Sequence, residues 1–316
     1  MMAIGASDLD REETAPQAAA AIDRPLRILL AEDSLVNQKL ATALLTRQGH
    51  RVVVANTGKE AVAAAGSQEF DAVLMDVQMP EMDGFEATAA IRLREKQTGR
   101  YVPVIAMTAH ALKGDRERCL ESGMDEYVSK PIRAEELFGA LAAVTAERAP
   151  AGTDAAAPPA PPTEPTPAAE AETPSGSEAS PRAPRSSAES DRPAPADTPQ
   201  PDDVVNWEAA LDGVRGDREL LRDIARAALE ESPRLLDDIG RALARGDATA
   251  LRLSAHTLKG SIRYFGAREP FEHAYQLETM GKNDDLAGAD AVLHSLRDEM
   301  ARLGAALSEY LANEDR

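Results

Sequence analysis

The sequence predicts an α/β domain of five parallel strands, wound by helices on both faces, followed by an all-helical four-helix bundle. Three observations carry this. Over the first half of the chain, short apolar runs alternate with helical patterns five times, the spacing of a parallel sheet covered on both sides. After Val204 the spacing stays helical with no strand signal, and antiparallel helices joined by short loops form a bundle. Between the two, residues 148–203 hold fourteen of the chain's 21 prolines among Ala, Ser, Thr and Glu. No apolar period survives there, so nothing offsets the entropy of ordering it. The expected layout is a disordered segment over 1–24, the α/β domain over 25–147, a Pro/Ala-rich disordered linker over 148–203, and the bundle over 204–313.

Residues 26–31 (Leu-Arg-Ile-Leu-Leu-Ala) read as the first strand, and Ser34 is suited to cap the helix that runs from Leu35 to Gln48 and stops at Gly49. Arg51–Ala55 is the second strand, and Thr57 can cap a helix to about Ser67. The third strand is the apolar run Ala72–Met75, short enough to be buried on both faces, and it ends at Asp76. A turn with Pro80 and Gly84 leads into a helix from Phe85 to about Glu95. Tyr101–Thr108 is the fourth strand, His110–Ser122 a helix stopped by Gly123, Asp125–Val128 the fifth strand, and Glu135 to about Glu147 the last helix. In the bundle, Leu220, Leu221, Ile224, Leu235 and Leu243 mark the first long apolar face, and Pro233 is expected to kink that helix or start a new one. Helices over 248–264, 271–280 and 287–311 complete the pattern.

Composition narrows the classes. The 316 residues carry a net charge of −19. That argues against non-specific binding to nucleic acid or anionic membrane, since no basic excess exists to displace counterions. Cys119 is the single cysteine, so no intrachain disulfide framework is possible, as expected in a reducing cytosol. No apolar run is long enough to span a bilayer, and the amino terminus lacks the basic and apolar regions of a signal peptide. A soluble, cytoplasmic protein without membrane insertion is expected.

The strand ends gather chemistry. Glu32 and Asp33 follow strand one, Asp76 ends strand three, Thr108 ends strand four and Lys130 follows strand five. Open α/β sheets place their sites at the carboxyl ends of the strands. A carboxylate in the position of Asp76 has three readings: phosphoryl acceptor, metal ligand or helix cap. Three carboxylates together repel unless a cation joins them, and hard oxygen ligands suit Mg²⁺. Asp76 is then a candidate nucleophile towards phosphorus, with Mg²⁺, Thr108 and Lys130 neutralising the transferring oxygens. A metal-dependent aspartyl phosphatase also uses a strand-end Asp, but it needs a second Asp two residues on, where this chain has Gln78.

Over about residues 24–147 the chain resembles the receiver domain of two-component signalling, with its flavodoxin-like fold. The matching strings are Leu-Leu-Ala-Glu32-Asp33-Ser-Leu-Val-Asn37-Gln, Met75-Asp76-Val-Gln-Met-Pro-Glu-Met-Asp-Gly, Ala-Met-Thr108-Ala-His and Tyr127-Val-Ser-Lys130-Pro131. They look most like receivers attached to hybrid histidine kinases. The resemblance implies Asp76 as phosphoacceptor. It implies Glu32, Asp33, Asp76 and the backbone carbonyl of Gln78 as Mg²⁺ ligands, and Thr108 and Lys130 as phosphoryl contacts. Tyr127 would be the switch aromatic, and the Lys130–Pro131 bond would be cis.

The second chemical stretch is Arg252-Leu-Ser-Ala-His256-Thr-Leu-Lys259-Gly260-Ser-Ile-Arg263. At about 100° per residue, Leu251, Ala255, Leu258 and Ile262 share a core face, while Arg252, His256, Lys259, Gly260 and Arg263 fall on another stripe. His256 is therefore expected to face water, flanked by cations. A neutral imidazole is a competent nucleophile near neutral pH, Lys259 can attract a phosphoryl oxygen one turn away, and Gly260 clears space for a partner. A lone His is more often an ordinary surface group, and His50, His273 and His294 are read that way. The string around His256 resembles the histidine phosphotransfer (HPt) domain, a His followed by Leu-Lys-Gly, with the resemblance extending over about 204–313. It implies His256 as phosphocarrier assisted by Lys259, with Arg252, Gly260 and Arg263 at the docking face.

The expected protein is a monomeric phosphorelay component and not an ATP-using enzyme, since no kinase-core ATP site or dimerisation helix is found in the sequence. Phosphate would pass from a sensor histidine kinase to Asp76, to His256, and on to a downstream response regulator receiver. The alternatives are the receiver–HPt tail of a hybrid kinase, and a non-catalytic docking protein, against which the intact Glu32, Asp33, Asp76, Thr108 and Lys130 set argues. A flexible linker of about 55 residues would span roughly 40 Å, so His256 could reach Asp76 of its own chain through a weak, transient contact.

Overall fold

The computed structural model describes residues 24–108, 113–146 and 204–313. The disorder expected over 1–24 and 148–203 falls outside these residues, Arg24 apart. So does the expected helix start at His110.

Strand β1 (Arg27–Ala31) leads through a Ser34-capped turn into α1 (Leu35–Arg47). Then follow β2 (Arg51–Ala55), α2 (Gly58–Ser67), β3 (Ala72–Asp76) and α3 (Gly84–Thr98). The α/β domain closes with β4 (Val104–Thr108), α4 (Lys113–Glu121), β5 (Glu126–Ser129) and α5 (Ala134–Ala146). The five strands are parallel in the order β2-β1-β3-β4-β5. The chain reverses direction across the sheet between β1 and β3. A crevice opens at such a switch point, beyond the strand ends, and Glu32, Asp33 and Asp76 flank it. Every residue of β3 and of β4 is buried, as central strands covered on both faces require.

Local chemistry sets the ends of these elements. The Ser34 and Thr57 side chains accept from the backbone amides of Asn37 and Glu60. Asp83 and Glu86 form a reciprocal capping box at α3. Gly84 is required here, because a Cβ would lie 2.2 Å from the carbonyl oxygen of Asp76. That close approach holds the turn against the end of β3. The fourth strand starts at Val104, three residues later than expected. Pro103 has no N–H to give a ladder, although its carbonyl accepts from Val73.

The helical part is α6 (Trp207–Gly213), α7 (Arg218–Arg245), α8 (Ala248–Arg263), α9 (Arg268–Lys282) and α10 (Ala289–Ala312). The last four are the expected bundle. The short α6 was not anticipated; Asn206 caps it, and Trp207 stacks on Tyr310 of α10 at 4.4 Å. Helix α7 runs through Pro233 without a break, so no new helix starts there. The apolar stripe of Leu221, Ile224, Ala228, Leu235 and Ile239 continues in phase on both sides of the proline, and its packing outweighs the one lost hydrogen bond. Gly246, at φ +65°, ends α7 in the left-handed conformation, and Asp247 caps α8 at once.

The α/β domain and the bundle form one compact unit. Helix α1 lies against α7 and α8, and one apolar cluster runs from Leu40 and Leu44 of α1 through Leu137 of α5 to Leu221, Leu258 and Phe265 of the bundle. Ion pairs Arg47–Asp217 and Arg215–Glu135 flank the junction. Among the described residues, no helix is long and apolar enough to cross a membrane.

Candidate functional site

The strand ends converge as expected. One carboxylate oxygen each from Glu32, Asp33 and Asp76 lies within 4.8 Å of the others. Lys130 reaches into the same pocket, its Nζ 2.6 Å from Asp76 Oδ2 and 2.7 Å from Glu32 Oε2, and the Lys130–Pro131 bond is cis. Glu32 Oε1 accepts from the Asn37 side chain at 2.8 Å and from the Ser34 amide at 3.3 Å, and Asp76 Oδ1 accepts from the Gln78 amide at 3.1 Å. Thr108 is buried at the end of β4, in register with Ser129. Tyr127 is half-buried on β5, with the Arg116 guanidinium 5.6 Å from its ring centre.

These charges strain one another. Burial, and next the Glu32 carboxylate, push Asp76 well above the ordinary carboxylate range, against the pull of Lys130. The same two causes raise Asp33 to about 7. Burial opposes the Lys130 charge, but Asp76 and Glu32 outweigh it and hold the ammonium well above its usual value. One cation does not balance three crowded carboxylates, and a divalent ion would bring Asp33 and Asp76 back down.

His256 lies on α8 across a cavity of about 20 Å³, room for about one water. Glu32, Asp33, Asp76 and Lys130 line it from one side; His256, Gly260, Arg263 and Tyr264 line it from the other. His256 is 6% exposed, which corrects the expectation that it faces water. Two surfaces cover it, the α/β domain in front and α9 beside it. From α9, Glu278 Oε1 lies 2.6 Å from His256 Nδ1, and Glu278 Oε2 lies 2.6 Å from Lys259 Nζ. Burial raises the cost of the Glu278 charge, yet the hydrogen bond from His256 and the Lys259 ammonium bring its pKa down to about 2. An ionised Glu278 can only accept, so Nδ1 carries the proton and Nε2 keeps its lone pair. Burial is the main cause that lowers the imidazole pKa, so the ring is neutral at pH 7.

Lys259 lines the same cavity beside His256 and pairs with Glu278, with its Nζ 5.5 Å from the Tyr275 ring centre. Arg252 does not line the cavity; a Cβ on Gly281 of α9 would lie 2.7 Å from its backbone nitrogen, so the Arg252 turn of α8 is pressed against α9. The α8 face turned to the α/β domain is Thr257, Gly260, Ser261 and Tyr264. Thr257 donates to Asp33 Oδ2 at 2.8 Å, and a Cβ on Gly260 would lie 3.8 Å from Asn37 Nδ2.

Residues 28–142 match the model of the response regulator receiver domain, and residues 202–306 match that of the Hpt domain. The chain carries a receiver domain and an Hpt domain. Hybrid signal transduction histidine kinase I of Dictyostelium discoideum is 47% identical over 119 residues, which are 36% of this chain and 7% of that protein. Histidine kinase 3 of Arabidopsis thaliana is 41% identical over 131 residues, 35% of this chain and 13% of that one. The chain thus spans a small fraction of these relatives' length. Among solved structures, the receiver domain of a Pseudomonas aeruginosa sensor histidine kinase, with a magnesium ion in its active-site cleft, is 45% identical over 39% of this chain and 99% of that chain, with a TM-score of 0.36.

Sequence reasoning missed Glu278, Glu231, Thr257 and Tyr264. Glu278 had a signal of its own: it shares an apolar helix face with Ala274, Leu277 and Gly281, where a carboxylate calls for a partner. Thr257 and Tyr264 carried none, because their role depends on where the receiver docks.

Proposed function

We propose that this chain is a cytoplasmic phosphorelay intermediate and not an ATP-using kinase. Its receiver domain takes phosphate on Asp76 from a sensor histidine kinase, and its Hpt domain passes it through His256 to a downstream response regulator receiver. The observation that carries this reading is the enclosure of Asp76 and His256 around one small cavity. Its receiver domain is assigned to residues 25–147 and its Hpt domain to 204–313.

Glu32, Asp33 and Asp76 suit Mg²⁺, since three hard oxygen donors lie together and the pKa values of Asp33 and Asp76 are forced up. The Gln78 carbonyl is assigned as a further ligand. When bound, Mg²⁺ supplies positive charge against the phosphoryl oxygens. Lys130 and Thr108 hold the same oxygens from the protein side, and Tyr127 follows Thr108 as the switch. Transfer to the Hpt domain is then a single displacement. The Nε2 lone pair of His256 forms an N–P bond as the P–O bond to Asp76 breaks. The Asp76 carboxylate leaves as an anion beside Lys130. The Nδ1 proton stays on the ring, where Glu278 stabilises the positive charge that develops. Burial of the cavity keeps water from competing for phosphorus.

Acetyl phosphate labelling tests the assignment. The chain should take label in Mg²⁺. Asp76→Asn should take none, and His256→Gln should hold its label on Asp76. Label that survives Asp76→Asn, or that forms equally in excess chelator, contradicts the proposal.

A further inference from the structure

Helix α7 carries a carboxylate where its pattern calls for an apolar residue. Glu231 follows Ala227 and Ala228 and precedes Leu235 on the buried stripe, and it is 4% exposed. Burying a carboxylate is costly unless hydrogen bonds satisfy it. Within the bundle Glu231 accepts from the Ser261 hydroxyl at 2.8 Å. Its other hydrogen bonds come from the receiver. The Leu35 amide donates to Oε1 at 2.7 Å and the Ser34 hydroxyl to Oε2 at 3.2 Å. Ser34 and Leu35 are the N-cap and first residue of α1. The first amides of a helix have no partner inside it, and its N-terminal end attracts anions. Glu231 thus caps a helix that belongs to the other domain.

We propose that Glu231 is the residue by which the Hpt domain recognises a receiver, by reading the N-terminus of that receiver's first helix, and that the partner it fits is this chain's own receiver. The proposal rests on the phosphorelay reading for its purpose but not for its geometry. In an undocked bundle Glu231 would lose the Ser34 and Leu35 donors and keep the Ser261 hydroxyl. In a docked one it is satisfied only if a free helix amide and a hydroxyl arrive at that point. A receiver with an acidic residue at its N-cap would instead set two carboxylates together in a dry contact, and would be rejected. The site is separate from the phosphoryl cavity, which Glu231 does not line, so recognition and chemistry rest on different residues. The same capping contact sets the register of α1 on α7 and α8, which brings Asn37 opposite Gly260 and Asp33 opposite Thr257.

Hydrogen exchange on the full, unphosphorylated chain tests this without any phosphate chemistry. In Glu231→Ala, amides at the start of α1, Leu35 above all, should exchange about ten-fold faster or more, the worth of a buried hydrogen bond to a charge. Amides in the middle of α10 should keep their protection. Glu231→Lys should open the contact further, because it sets a cation against the positive end of α1. A Glu231→Ala × Ser34→Ala cycle should be non-additive. Unchanged exchange at Leu35 in Glu231→Ala, or strict additivity in the cycle, overturns the proposal. Single-turnover transfer from Asp76 to His256 is measured on the same variants. Faster exchange with unslowed transfer would keep the recognition role and contradict the phosphorelay reading of the docked face.

Discussion

The Asp76 pocket is assembled from the ends of four strands that are far apart in the chain, whereas His256 stands on one continuous helix with a single carboxylate partner from the next. The first region crowds three carboxylates around Lys130 and forces Asp76 and Asp33 upwards. The second keeps a neutral ring and an ionised Glu278 that is neutralised by Lys259. The difference teaches where each acceptor finds its reactivity. In the proposed relay the aspartate would depend on a cation supplied from outside the chain. The histidine depends on a proton fixed on the far side of its ring. One site is therefore vulnerable to chelation and the other to loss of a hydrogen bond.

The largest expected effect separates the two. Excess chelator should abolish labelling of Asp76 by acetyl phosphate. The same chelator should affect far less the loss of label already held on His256. Equal sensitivity of both steps would erase the distinction.

The next effect falls on the histidine alone. Glu278→Ala removes the Nδ1 partner and leaves Lys259 buried without its carboxylate. Losing a charge-assisted buried hydrogen bond costs about 1.5–3 kcal/mol, so single-turnover transfer to His256 should fall about ten-fold or more while labelling of Asp76 stays normal. Glu278→Gln keeps an acceptor and should recover part of the rate. Unchanged transfer in Glu278→Ala would mean that the hydrogen bond orients nothing.

A smaller effect appears in the pH dependence of stability. The His256 pKa is lowered in the folded unit, so the folded state binds fewer protons than the unfolded one. Its stabilising contribution is complete above the ordinary imidazole pKa of about 6.5 and is lost as pH falls through the lowered value. Glu278, held at about 2, contributes above the ordinary glutamate pKa of about 4.3 and loses that as pH falls towards 2. The difference in melting temperature between the native chain and His256→Gln should therefore shrink as pH falls from 7 to 5. A difference that is flat over this window would contradict a lowered imidazole pKa.

The smallest effect concerns clearance. A Cβ at Gly260 would still stand 3.8 Å from Asn37, so Gly260→Ala should transfer within about two-fold of the native rate. Its helix should also gain up to about 1 kcal/mol from propensity. Gly260→Leu should block docking, and normal transfer by that variant would remove clearance as the reason for the glycine.

These contrasts also explain what the sequence could reveal. Each strand end carries its chemical residue beside an apolar run, so Glu32, Asp33, Asp76, Thr108 and Lys130 were readable together from spacing alone. The sheet and bundle were legible for the same reason, since burial on two faces or one stripe leaves a period. The surroundings of His256 were less so. A helical projection shows which stripe a residue occupies but not what covers it, so it puts His256 in water where Glu278 and the receiver enclose it. The same projection puts Arg252 on the His256 stripe, but Arg252 does not line the cavity. Pro233 suggests a helix start where none occurs, and the apolar stripe keeps its phase on both sides of it.

The central claim is that the docked face carries phosphate from Asp76 to His256 within one chain. Tethered domains meet at an effective concentration up to about the millimolar range. The deciding measurement is single-turnover transfer in the intact chain across a hundred-fold range of protein concentration, compared with a mixture in which Asp76-phosphorylated His256→Gln chains face Asp76→Asn chains at micromolar concentration. The account predicts a rate in the intact chain that does not change with concentration and a much slower rate in the mixture. A rate that rises with concentration, or a mixture as fast as the intact chain, would show that the two domains serve separate partners.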